Sequence, residues 1–190
     1  MKNARFLFLG ALMAGLLAVP ALAQEAAKKA EAPAAAPSAS AAVLERWNEA
    51  GSKLIEMAED FPEDKLDYKP TPEVRTFAEQ LLHVAGVNNL MGESVRGEKA
   101  AEADLPRDKY KTRAEIVAAV KKSFADGAEI IKAKGDAGLS TTVKHPFANA
   151  MIRVADLADM LSSHAQEHYG QLVVYYRLNK IVPPASRPRK

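Results

Sequence analysis

The sequence predicts an all-α protein built as a four-helix bundle, and three observations carry that prediction. Apolar residues recur with a helical period over four long stretches of the 190-residue chain, and each stripe must be covered by the others. Two Thr-x-x-Glu sequences, Thr76-Phe77-Ala78-Glu79 and Thr112-Arg113-Ala114-Glu115, read as capping boxes that start helices. No strand alternation competes with these signals, and no internal repeat is present.

The chain opens on a segment that precedes the fold. Lys2 and Arg5 form a charged region, Phe6 to Val19 is apolar, and Ala21-Leu22-Ala23 is a small-x-small site, the pattern of a secretory signal peptide over residues 1–23. The apolar stretch is shorter than the about 20 residues of a spanning helix, and there is no cysteine to accept a lipid. No stable membrane anchor is therefore expected after cleavage, and the protein is expected to be periplasmic or secreted. Cleavage removes two basic and no acidic residues, so the formal charge falls from +2 to zero. Bulk electrostatics then gives no reason to bind nucleic acid. The absence of cysteine excludes disulfides, a cysteine nucleophile and a thiolate metal site, leaving stability to a hydrophobic core or a metal.

Residues 24–42 are alanine-rich, carry Pro33 and Pro37 and lack large apolar side chains, which makes them a disordered linker. Residues 43–190 fit one domain ending in a short basic tail that includes Arg187, Arg189 and Lys190. The first helix is expected from about Ala41 to Asp60, burying Val43, Leu44, Trp47, Leu54, Ile55 and Met57, with Pro62 closing it. The second starts at the Thr76 box and ends near Arg96-Gly97; the third starts at the Thr112 box and stops near Lys134-Gly135. Gly138 to Met151 reads as an extended, ordered loop. The fourth helix spans roughly Val154 to Asn179, before Pro183 and Pro184 forbid continuation.

The chemistry concentrates in the histidines. His164 and His168 stand four residues apart in the fourth helix, so their imidazoles lie one turn above the other on one face. That spacing suits two nitrogens reaching one cation. The stripe they share includes Leu157, Met160, Leu161, Gln171, Tyr175 and Leu178, and His83 falls on a similar stripe of the second helix with Gln80 and Val87. Three imidazoles from two helices would leave one side of a metal open to water or substrate, as in catalytic sites. The competing reading is of ordinary buried histidines satisfied by neighbouring hydrogen bonds. His145, beside Pro146 in the loop, is assigned to that class. Glu79, one turn before His83, and Gln171, one turn after His168, are the candidates to hold the other ring nitrogens; Glu79 is equally explained by its capping box. Gly170 interrupts a helix with no turn in view, which suggests close approach of another helix or a ligand to the backbone there.

The order of capping box and His83, an ordered loop, then His164-x3-His168-x-Gly170-Gln171 followed by Tyr176-Arg177-Leu178-Asn179-Lys180-Ile181-Val182-Pro183-Pro184 resembles the DinB-like superfamily over about Val43 to Ser186. The resemblance implies a bundle with a long crossover, helices running up-up-down-down, and one divalent metal, zinc or nickel above others, held by His83, His164 and His168 at one end. It also implies kinship with metal-dependent transferases and isomerases that activate a low-molecular-weight thiol. The resulting expectation is an exported, open-sited metalloprotein acting as a transferase or hydrolase on an unknown small molecule, with a homodimer left open. Its rivals are a non-catalytic envelope protein that uses the metal to pin two helices, and a metal-free helical interaction module.

Overall fold

The computed structural model describes residues 36–188; the segment read as a signal peptide, the stretch read as a linker up to residue 35, Arg189 and Lys190 lie outside them. Among the described residues four α-helices form: α1 (Ala39–Asp60), α2 (Phe77–Arg96), α3 (Arg113–Leu139) and α4 (Val154–Leu178). None is long and apolar enough to cross a membrane.

Local sequence explains their limits. Ser38 caps α1, its hydroxyl accepting from Ala41 N, so helix begins inside the stretch read as linker and the domain starts near residue 38. Thr76 and Thr112 both close the expected capping boxes. Gly97, with φ 72°, ends α2 in the left-handed conformation that glycine adopts without a Cβ penalty. In α3 the helical dihedrals break at Gly135, where the sequence ends the helix, before one further turn reaches Leu139. The segment read as an extended loop holds a small antiparallel hairpin instead, with β1 (Thr142–Lys144) and β2 (Met151–Arg153) in the register Val143 to Ile152. Three residues per strand are too few for an alternation to show in sequence.

Cross-helix pairs fix the directions. The start of α1 meets the end of α3 where Ser40 N donates to Asp136 Oδ1 at 2.8 Å, and Lys121 near the start of α3 pairs with Glu59 at 2.6 Å. These two are antiparallel. Arg46 pairs with Asp159 at 3.3 Å and the Tyr176 hydroxyl donates to Met57 O at 3.0 Å, so α1 and α4 are parallel. Gln80 meets Gln171 at 2.9 Å and His83 meets His164 at 3.1 Å, so α2 opposes α4. The helices therefore run up-down-down-up, not up-up-down-down, with α1/α2 and α3/α4 as the diagonals. The long crossover is the segment from Gly97 to Thr112, which climbs back along α2.

That crossover is bound to the bundle at several points. A Cβ on Gly86 would fall 2.1 Å from Ala103 O, so only glycine lets the crossover lie this close to α2. Further along, Arg107 Nε pairs with Asp67 at 2.9 Å, and Arg113 N donates to Glu63 Oε1 at 3.1 Å. The core it encloses contains Trp47, Leu54, Met57, Leu81, Met91, Ile131 and Leu161, all fully buried, and a Phe61–Phe77 stack at 3.8 Å between ring centroids. At the top of the bundle Arg187 forms two bonds to Asp60, at 2.7 and 2.5 Å. This part of the basic tail is thus tied down rather than offered to an acidic partner.

Candidate metal centre

His83 lies in the second turn of α2, and His164 and His168 occupy successive turns near the middle of α4. Because α2 and α4 are antiparallel neighbours, these faces meet on the flank of the bundle rather than at its end. His83 Nε2 is 3.1 Å from His164 Nε2, which is 3.0 Å from His168 Nε2. The expected convergence of the three ring nitrogens is present. His168 is 6% exposed, and the other two are half-buried.

Two of the rings are oriented from behind. His83 Nδ1 lies 2.8 Å from Asp104 Oδ1, and a carboxylate can only accept, so the proton sits on His83 Nδ1. The Asp104 carboxyl would rise on burial alone, but hydrogen bonds from Arg75 and His83 take it below its ordinary value and keep it ionised. His168 Nδ1 donates to Gln80 Oε1. That amide is itself held, its nitrogen donating to Gln171 Oε1 at 2.9 Å and to the Tyr175 hydroxyl at 3.4 Å, while Tyr175 spends its own proton on Arg75 O. His83 and His168 therefore both present a bare Nε2 lone pair to His164.

A hydrogen on His164 Nε2 can satisfy one of these lone pairs but not both. His164 Nδ1 is buried with no partner among the described residues. The Nε2 lone pairs turned on one another are unfavourable with protein atoms alone, and they are what a cation with three nitrogen ligands would satisfy. Electrostatics agrees. Burial, then the neighbouring imidazoles and Arg75, lower His168 to about 3; burial, then His83 and Arg75, lower His164 to about 4; and burial, then Arg75, lowers His83. All three are neutral near pH 7, the form that ligates. Their donor atoms lie within 4.8 Å of one another, and no fourth histidine, aspartate or glutamate joins the group among the described residues. The residues present fit a metal ion with an open coordination position.

Other expected residues fall elsewhere. Glu79 accepts from Thr76 N at 2.7 Å and serves only its capping box; a carboxylate turned back to the helix start cannot also reach His83. Gln171 stands one step further out than expected, holding Gln80 and not His168. The two residues that touch the rings, Gln80 and Asp104, were missed. Gln80 carried a signal, since it lies three residues before His83 on the same stripe. Asp104 carried none, because it sits in the aperiodic crossover. Nothing lies within 4 Å of a Cβ built on Gly170, which is exposed. The expected close approach is absent, because Gly170 is two residues past His168 and faces away from the rings. His145 stays outside the centre, its Nδ1 accepting from Phe147 N at 3.0 Å.

The fold and this centre can be set beside known proteins. No curated protein matches the chain. Among solved structures it is similar to a DinB-like protein from Bacillus cereus, at TM-score 0.62 and 16% identity, over 75% of this chain and 93% of that one. It is also similar to YfiT from Bacillus subtilis, at TM-score 0.61 and 14% identity, over 80% and 94% respectively. YfiT is described as a probable metal-dependent hydrolase with an unusual four-helix bundle topology. At these identities the likeness shows the fold. The profile of the DinB superfamily matches residues 46–172, a span that takes in most of α1, the whole crossover and all three converging histidines, and on that match the chain belongs to the DinB superfamily.

Proposed function

We propose that this protein is an exported metal-dependent enzyme of hydrolase type, with one divalent ion held by His83, His164 and His168. The observation that carries the reading is the pair of bare Nε2 lone pairs turned on His164 by Asp104 and Gln80. A closed helical module would have no reason to aim them there. Zinc or nickel suits the all-imidazole set, and neutral nitrogen donors also accept iron or copper. The ion would supply Lewis acidity, polarising a substrate oxygen or acidifying a water. The protein's own residues do the positioning: Asp104 and Gln80 hold two ring tautomers, and Arg75 adds positive charge beside the centre while pairing with Asp104 at 3.2 Å. Hydrolysis is favoured over thiol transfer by the description of YfiT and by the expected export away from the reducing cytoplasm. A small-molecule substrate, no nucleic acid and a periplasmic or secreted location belong to the same reading.

The test is metal analysis of untagged protein, followed by a panel of ester and amide substrates with and without chelator. One equivalent of metal, its loss in His168→Ala, and hydrolysis that disappears with chelator are expected. Metal retained without any hydrolysis or exchange of exogenous ligands would favour the scaffold that pins α2 to α4. Absence of bound metal, with melting indifferent to chelator, would favour the metal-free module.

A further inference from the structure

A cleft of about 610 Å³ opens between α2 and α3, on the side of α2 away from α4, with Leu105 and Tyr110 of the crossover forming part of its wall. The histidines do not line it. Its size falls within the range of small-molecule sites, about 300–1,000 Å³, and Ala119 and Ile130 add apolar surface.

Among its lining residues Asn88 carries a buried acceptor without a partner among the described residues, and the neighbouring groups fix which atom that is. Ser123 Oγ donates to Val120 O at 2.9 Å, so its proton is used. The hydroxyl can then only accept, and it does so from Asn88 Nδ2 at 3.3 Å. This orients the amide. Asn88 Oδ1, in a residue 2% exposed, is left without a partner among the described residues. Buried acceptors are paired in the great majority of cases, so a ligand group that reaches this oxygen would pair with it through a donor. An acceptor-only group such as a carboxylate or phosphate cannot serve.

The charges at the rim narrow the choice. Lys122 pairs with Asp126 at 2.5 Å, Glu129 with Lys132 at 2.9 Å, and Arg96 with Glu98 at 2.7 Å. Among the described residues Glu93 has no ion-pair partner; one of its oxygens accepts from Ala101 N at 2.7 Å. The unbalanced charge of the lining is therefore negative, and Glu93 lies about one and a half turns along α2 from Asn88, in the lining of the same cleft. We propose that this cleft is a second ligand site, separate from the histidine centre, for a small molecule that carries a protonated primary amine on a short apolar body. The ammonium donates to Asn88 Oδ1, Glu93 supplies the compensating charge, and the body packs on Leu105, Tyr110 and Ile130.

The test uses the metal-loaded protein and three probes of one size: phenethylamine, 2-phenylethanol and 3-phenylpropionate. Binding is followed by isothermal titration and by backbone amide chemical shifts. The amine is expected to bind, with shifts confined to α2, α3 and the crossover, the alcohol more weakly, and the carboxylate not at all. Asn88→Leu keeps the volume and removes the acceptor, and should weaken the amine about tenfold or more without loss of melting temperature or metal content. Glu93→Gln, at the rim, should erase the preference for amine over alcohol whether or not Asn88→Leu folds. Absence of amine binding at millimolar concentration, shifts at the histidine centre instead, or equal affinity for the three probes would overturn the proposal.

Discussion

Acidifying the metal-free protein from pH 7 to pH 5 should destabilise it by an amount that the histidine centre sets. In the folded chain His164 and His168 are lowered to about 4 and about 3, whereas in the unfolded chain each titrates near 6.5. A depressed histidine contributes stability that is fully present above about pH 6.5. It is lost as pH falls toward the folded value, because the unfolded chain then binds more protons. At pH 5 the difference is about 2 kcal/mol for each ring, or about 4 kcal/mol for the two. In a domain of this size 1 kcal/mol corresponds to about 2–4 °C, so the melting temperature should fall by roughly 8–16 °C. The lowered carboxylates of Asp60 and Asp104 act in the same direction, but only at and below the ordinary carboxylate range, which leaves this window to the histidines. The assay is thermal unfolding by circular dichroism in chelator across pH 7 to 5, repeated with excess zinc and with His164→Gln/His168→Gln. Zinc should defer the loss to lower pH, since protons and metal compete for the same nitrogens, and the double variant should flatten the profile. A metal-free protein whose melting temperature is constant across this window would refute the argument that these rings are held neutral by burial.

Replacing Asp104 by Asn should lower metal affinity about 10–100-fold in a chelator competition, because the charge that fixes the His83 tautomer is lost. Gln171→Ala, which removes only the outer support of Gln80, should change that affinity by far less; equal losses would show that Asp104 does not act on the ring. Gly170→Ala fills open space on a helix and should raise stability by about 1 kcal/mol in denaturant unfolding; a destabilised variant would mean a neighbour approaches there after all. Gly86→Ala places a methyl against Ala103 O and should cost about 1–3 kcal/mol. It should also weaken metal binding, since the displaced backbone continues directly into Asp104, and unchanged affinity in this variant would sever the crossover from the centre.

What was legible in the sequence was local. The capping boxes at Thr76 and Thr112 need only residues three apart, and the stripe holding His164 and His168 needs only the helical period, so both could be read without knowing what packs on what. His83 could be added because it falls on a core-facing stripe of its own helix, half apolar and half polar, with Gln80 before it and Val87 after it. The oriented hydrogen bonds behind the rings were less accessible for a physical reason. Glu79 lies one turn before His83 on α2 but its carboxylate is spent on the capping box, while the next residue, Gln80, reaches across to His168 instead. That argument was available: a Glu committed to the helix start cannot also reach forward one turn.

The helix directions were not available in the same way. Two connections of comparable length flank α2, residues 61–76 and residues 97–112. An extended chain of about 3.3 Å per residue lets either one span a helix of about 30 Å. Length alone therefore permits α2 to run with α1 or against it. The decision rests on contacts between distant residues: Phe77 N donates to Tyr68 O and Ala78 N to Leu66 O, each at 2.9 Å, which folds the first connection into a compact turn against the start of α2. With that connection closed, α2 must descend, and the second connection must climb. Its path past Gly86 then delivers Asp104 to His83. The up-down-down-up order and the orientation of the candidate metal centre are thus consequences of one another, joined through a crossover whose sequence shows neither a period nor a motif.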